Sequence, residues 1–291
     1  MHRRWFSAAA FSRRNTRAEV SPNVSLNVVI TEPAAPTKSA DGSARLPLLL
    51  LPGAFGSVEY DFRRQFDAFG HHMTVIGVDP RGYSKSRPPA RDFPDKYFER
   101  DAEDIVSAMD KLGYDKFSVL GFSAGANTAA VLAAKIPEKV DRLVLVSGNA
   151  FVTDEDIEAY EAYGHPSKWH PELLAQAEAV YGEELHEEMT NMLDKLRAIR
   201  DDDGDLYCGW LPQIKSKTLV ITGEKDKLVA DFHGEYLNER IMHSRLHVIA
   251  NGRHDVQASH ADEFNRVVLG FLDEADDKLT QSREFVARPA K

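Results

Sequence analysis

Residues 116–135 read KFSVLGFSAGANTAAVLAAK: an apolar run, then Gly121-Phe122-Ser123-Ala124-Gly125, then small and apolar residues at helical spacing. This stretch dictates a strand, a tight turn and a helix, with a serine at the apex. So sharp a turn leaves no room for side chains at its flanks. Gly121 and Gly125 remove them, and Ser123 then projects above the strand end with a helix N-terminus behind it. A serine between glycines is common in loops; one between this strand and this helix is a candidate nucleophile.

A serine hydroxyl reacts only when a base takes its proton and a third group orients that base. Downstream, KSKTLVITGEKDKLV predicts a strand at Thr218–Gly223 and a loop holding Glu224 and Asp226. SRLHVIANGRHD predicts a strand near Leu246–Ala250 and a loop ending at His254. The order Ser123, Asp226, His254, each beyond a strand's C-terminal end, is that of the α/β-hydrolase fold. The chain has 11 histidines. Of the late ones, His247 falls inside a strand and His260 opens the last helix, whereas His254 sits on a loop tip. For the acid, Glu224 is a rival that can equally brace its loop. Asp231 falls in a helix's first turn, where the helix dipole alone explains a carboxylate.

Acyl transfer also needs donors aimed at the developing oxyanion. The Ala124 backbone N–H, at the head of the helix, is one candidate. The other comes from Pro52-Gly53-Ala54-Phe55-Gly56, after the strand Leu46–Leu51, with Ala54 N–H first and Phe55 second. Phe55, Phe122 and Ala124 are the expected substrate contacts. Asp79-Pro80-Arg81-Gly82-Tyr83-Ser84-Lys85-Ser86 reads as a structural loop whose Asp and Arg hold backbone. No metal or cofactor is expected, and Asp201-Asp202-Asp203-Gly204-Asp205 lacks the later glutamate of a calcium loop.

Apolar strands alternating with amphipathic helices from about residue 46 predict a mostly parallel central sheet flanked by helices, class α/β. Helices are expected near Tyr60–Phe69, Arg100–Leu112, Ala124–Lys135, Ala230–Ile241 and His260–Asp273. Between the strand ending near Ser147 and the one starting near Thr218 the chain is too long for an ordinary crossover, so residues 151–212 read as a helical cap. Thr153 with Asp156 resembles a capping box. The core is then 21–150 and 213–275, with VSLNVVIT (24–31) as an edge strand and 276–291 as a loose tail. Residues 1–20 carry Arg3, Arg4, Arg13, Arg14 and Arg17 against one acid, Glu19. That mixture predicts a mitochondrial transit peptide, with a basic tail on a cytoplasmic enzyme as the alternative. A net charge of −10 argues against a nucleic-acid partner, and the longest apolar run is far too short to span a membrane. One cysteine, Cys208, excludes an intrachain disulfide, and a monomer is expected.

DPRGYSKSRPPARDFPDKYFERDAEDI, NAFVTDEDIEAYE, GEKDKLVADFH and SRLHVIANGRHD together resemble the valacyclovir hydrolase (biphenyl hydrolase-like) family of mitochondrial serine hydrolases. The resemblance covers about residues 46–272. It implies cleavage of amino-acid esters or thiolactones, with Ser123, Asp226 and His254 as the triad. The chain departs from the family at one position. There an aspartate follows the nucleophile and pairs with the substrate's α-ammonium group, and here that position is Ala124. Three function classes stay open: a serine esterase acting on small esters, thioesters or thiolactones; carbon–carbon bond hydrolysis, acyl transfer or perhydrolysis on the same triad; and a non-catalytic binding protein of this fold.

Overall fold

A run such as Leu48–Leu51, with every side chain buried, cannot belong to a sheet with a wet face; both sides have to be covered. The computed structural model describes residues 11–35, 37–39 and 42–274. Among these residues eight strands form one sheet: β1 (Phe11–Ser21), β2 (Val24–Pro33), β3 (Leu48–Leu51), β4 (Val75–Val78), β5 (Phe117–Phe122), β6 (Val140–Val146), β7 (Lys217–Gly223) and β8 (Ser244–Ile249). Their spatial order is β1-β2-β4-β3-β5-β6-β7-β8. The first two pair antiparallel, β2 runs antiparallel to β4, and β3 to β8 are mutually parallel.

Among the described residues there are ten α-helices: α1 (Val58–Asp61), α2 (Arg63–Gly70), α3 (Tyr97–Lys111), α4 (Ala124–Lys135), α5 (Asp154–Tyr163), α6 (Pro171–Tyr181), α7 (Glu184–Asp202), α8 (Asp231–Arg240), α9 (Val256–Ser259) and α10 (Ala261–Leu272). Two apolar cores result. On one face Ile105, Met109, Ala130 and Leu237, from α3, α4 and α8, pack on Leu49, Val119 and Leu145. On the other, Phe62, Phe66 and Phe69 join Phe264 and Phe271 against Leu48, Leu120 and Val144. Each such burial contributes roughly 1.5–3 kcal/mol. β5 therefore ends at the centre of the sheet's C-terminal edge.

The cap between β6 and β7 is helical as expected, made of α5, α6 and α7. Its first helix starts on the Thr153–Asp156 capping box, with Asp156 N–H donating to Thr153 Oγ1 and Thr153 N–H to Asp156 Oδ2. Tyr181, Ala177 and Leu185 of the cap pack with Phe55 and Tyr83 of the core. Arg87 clamps the same junction through Glu188, at 2.7 Å, and Glu184.

The structure corrects one reading at the N-terminus. β2 is not the edge; it lies between β1 and β4, and β1 is the edge. Residues 11–20, assigned to a leader spanning 1–20, belong to that edge strand. Residues 1–10 lie outside the described residues, as does the 276–291 tail. The hairpin signal was the Pro22-Asn23 turn: proline presets φ, and Asn23 takes φ +64. Arginine hid the strand. Arg13 lies 4.8 Å from the Phe66 ring centroid and pairs with Glu59, and Arg17 donates to Lys85 O and Ser25 O. Charged ends on apolar stems suit an edge that must not pair further. The expected Tyr60–Phe69 helix is also two, α1 and α2, broken at Phe62.

Candidate active site

Ser123 holds φ +53 and ψ −122, a conformation that side chains rarely adopt. Its backbone is fixed from both sides: Ser123 N–H donates to Val146 O of β6 at 2.8 Å, and Ser123 O accepts from Ala126 N–H at 2.8 Å. The two glycines are sterically required. A Cβ on Gly121 would lie 2.2 Å from Gly125 O, and one on Gly125 would lie 2.2 Å from Leu51 O. The elbow is therefore wedged against the end of β3 as well as against its own helix.

His254 Nε2 lies 3.0 Å from Ser123 Oγ, and His254 Nδ1 lies 2.8 Å from Asp226 Oδ2. The structure thus joins, in one hydrogen-bonded chain, three side chains separated by 131 and 28 residues in sequence. Asp226 Oδ1 accepts from Leu228 N–H (2.9 Å) and Val229 N–H (3.0 Å), which fixes the carboxylate. Gly223 lets the two loops meet, since a Cβ there would stand 2.4 Å from Arg253 O. Ser147 Oγ donates to His254 O at 3.1 Å, and the Phe122 ring lies 5.1 Å from the imidazole. Phe122 is buried, and its ring stands beside both His254 and Gly53.

The electrostatics follow from burial and pairing. Burial pushes Asp226 toward the neutral form, but the imidazole and the two backbone donors outweigh it and hold the carboxyl below its usual range. Burial acts downward on His254, and Asp226 and its hydrogen bond overcome it, so the imidazole sits above its ordinary value of 6.5. A serine, a base with raised proton affinity and an ionised orienting acid can together carry nucleophilic acyl chemistry.

The rivals are placed elsewhere. Glu224 Oε2 accepts from Asn251 N–H at 2.7 Å and braces the β7 and β8 loops. Asp231 opens α8, His247 lies in β8 and His260 precedes α10. Asp79 holds Val58 N–H (2.8 Å) and the Asn27 amide (2.9 Å), whereas Arg81 grips the Asp104 carboxylate and not backbone. Gly53 stands against Ser123: a Cβ on it would be 3.5 Å from Ser123 Cβ. Its N–H is already donated to Asp61 Oδ2 at 2.9 Å. Ala54 and Phe55 follow it, the latter at φ +57 and 3% exposed. Sequence reasoning missed Asp61 and Ser147; nothing in their local pattern marks either as part of a site. Among the described residues no three His, Cys, Asp or Glu side chains gather as a metal site, and no helix is long and apolar enough to cross a membrane.

A covered parallel sheet, a serine elbow at its centre and late acid and histidine loops define a class, and the comparisons agree. The chain belongs to the alpha/beta hydrolase fold family, which it matches over residues 47–175 and 162–261. Within that family it is a serine hydrolase. Human serine hydrolase BPHL is 39% identical over 269 residues, covering 91% of this chain and 89% of the relative. A 2-hydroxy-6-oxononadienedioate/2-hydroxy-6-oxononatrienedioate hydrolase of Pseudomonas sp is 29% identical, covering 76% and 84%. Among solved structures, 2-hydroxy-6-oxo-6-phenylhexa-2,4-dienoate hydrolase of Rhodococcus sp. strain RHA1 superposes with a TM-score of 0.75. The two share 16% identity, covering 91% of this chain and 100% of that one.

Proposed function

We propose that the protein hydrolyses small carboxylic esters or thioesters through an acyl-enzyme on Ser123, with His254 as general base and Asp226 orienting it. The observation that carries this is the continuous chain Ser123 Oγ–His254 Nε2, His254 Nδ1–Asp226 Oδ2 at 3.0 and 2.8 Å. Attack by Oγ on the acyl carbon passes its proton to Nε2. The leaving group takes that proton, and a water activated by the same nitrogen later releases the acid. The Ala124 N–H, in the first turn of α4 where no intrahelical acceptor exists, is the first oxyanion donor. Gly53 N–H is committed to Asp61, so the second comes from Ala54 or Phe55.

The acyl group is neutral in this reading. Ala124 puts a methyl directly after the nucleophile, partly buried against an apolar cluster whose members include Ala126 and Ala129. An ammonium there would lose hydration with nothing in return. The wild type should therefore prefer neutral acyl esters over α-amino esters of equal size. Ala124→Asp should shift kcat/KM toward the amino esters by about ten- to hundredfold. A wild type that favours amino esters, unmoved by the substitution, would refute the neutral-acyl assignment. The 29% identical relative supports a second reading, carbon–carbon bond hydrolysis. Turnover of a 2-hydroxy-6-oxo-dienoate above that of neutral and α-amino esters of equal size would select it.

Mitochondrial targeting, in the same reading, rests on residues 1–10 with Arg3 and Arg4, because residues 11–20 belong to the sheet. A reporter fused to residues 1–10 should enter mitochondria; cytosolic retention would refute the address.

A further inference from the structure

We propose that Asp61 is a positioning residue for this hydrolysis, holding the 52–56 loop in its oxyanion-binding shape through an ionised carboxylate. The inference rests on the serine-hydrolase reading above. Its basis is a polar relay that begins beneath the sheet edge. Asn27 Nδ2 donates to Asp79 Oδ2 at 2.9 Å, and Asp79 Oδ1 accepts Val58 N–H at 2.8 Å, tying down the first residue of α1. Asp61, the last residue of that four-residue helix, turns its carboxylate under the loop and accepts Gly53 N–H at 2.9 Å. The far end of the loop closes on the same group: a Cβ on Gly56 would lie 2.4 Å from Asp61 Oδ2. Gly56 N–H donates back to Gly53 O at 3.2 Å, completing the turn. Between these two glycines lie Ala54 and Phe55, whose amides are the remaining candidates for the second oxyanion donor.

A carboxylate is a costly choice for this position. Asp61 is 8% exposed, and an amide or hydroxyl acceptor would avoid burying charge. The charged acceptor makes a shorter and stiffer bond to a backbone N–H than a neutral one would, and stiffness is what an oxyanion donor needs. The groups facing Asp61 are Asp79 below it and, from the loop after β8, His254 and Asp255. Burial, Asp79 and Asp255 raise its pKa, while Gly53 N–H and His254 lower it, and it settles at about 7. Asp61 also acts on the base, since its negative charge stabilises the His254 imidazolium. Both consequences have the same sign. As pH falls through neutrality the loop loses its charged anchor and His254 takes up its proton, so activity falls on that side.

The test uses the full chain, a fluorophosphonate probe, a p-nitrophenyl ester and a boronic acid as oxyanion mimic. Asp61→Ala leaves Gly53 N–H without an acceptor. It should lower kcat, slow phosphonylation and weaken the boronic acid by about ten- to hundredfold each, with KM nearly unchanged. Asp61→Asn keeps an acceptor without charge. It should recover only part of the loss, remain below wild type at alkaline pH where Asp61 is ionised, and move the acid limb of kcat/KM to lower pH because His254 loses a neighbouring negative charge, which a packing role alone would not do. Should Asp61→Ala fail to fold, the Asn variant decides by itself. Wild-type kcat in the Ala variant, or an unmoved pH profile in the Asn variant, overturns the inference. A wild type that neither labels nor turns over any substrate overturns the underlying reading instead, and the inference falls with it.

Discussion

Among the described residues two histidine–aspartate pairs have equal length, and only one of them faces a serine hydroxyl. His254 Nδ1 and Asp226 Oδ2 are 2.8 Å apart, and so are His233 Nε2 and Asp156 Oδ1. The difference is what the other ring nitrogen meets. In the first pair Nε2 faces Ser123 Oγ, and the imidazole keeps 20% of its side-chain surface exposed. In the second the imidazole is fully buried among Phe151 and Phe232, and Nδ1 meets no polar partner. That pair ties α8 of the core to α5 of the cap. A His–Asp contact is thus a fastener by default, and becomes catalytic only where a nucleophile and an open face complete it.

The contrast can be broken by substituting the two acids in turn. Asp226→Asn should preserve the fold and cut kcat by about 10²–10⁴-fold, because it leaves the wrong imidazole tautomer facing Ser123. Asp156→Asn should do the opposite: lower stability by about 1–3 kcal/mol in a denaturant titration while the folded enzyme keeps its kcat. Equal kcat losses in the two variants would mean that the buried pair serves the reaction as well. Glu224→Gln completes the series with the smallest effect, within about 0.5 kcal/mol in either readout, since the amide oxygen still accepts Asn251 N–H.

What could be read in the sequence was what local sterics impose. Gly121 and Gly125 admit one geometry around Ser123, so the elbow and α4 were legible to the residue. Asp226 and His254 could be placed on loops because the apolar stretches Leu219–Ile221 and Val248–Ile249 end a few residues before them. Asp61 was not legible. Its partner is a backbone N–H eight residues back, and its meaning depends on a loop shape that no periodicity encodes. Strand β1 was missed because five of its 11 positions combine charge or amide polarity with an edge location, where the apolar alternation that marks a strand is absent. Composition alone made that segment look like a leader. The second His–Asp pair was equally hidden, since the capping box alone accounts for Asp156 and its imidazole partner lies 77 residues away.

The central claim is a covalent acyl-enzyme on Ser123. Rapid-quench mass spectrometry of the wild type turning over a p-nitrophenyl ester should find the acyl mass on the peptide carrying Ser123, and Ser123→Ala should lose both adduct and turnover, the latter by ~10³-fold or more. An adduct on another residue, or a Ser123→Ala enzyme that keeps its turnover, would contradict the account.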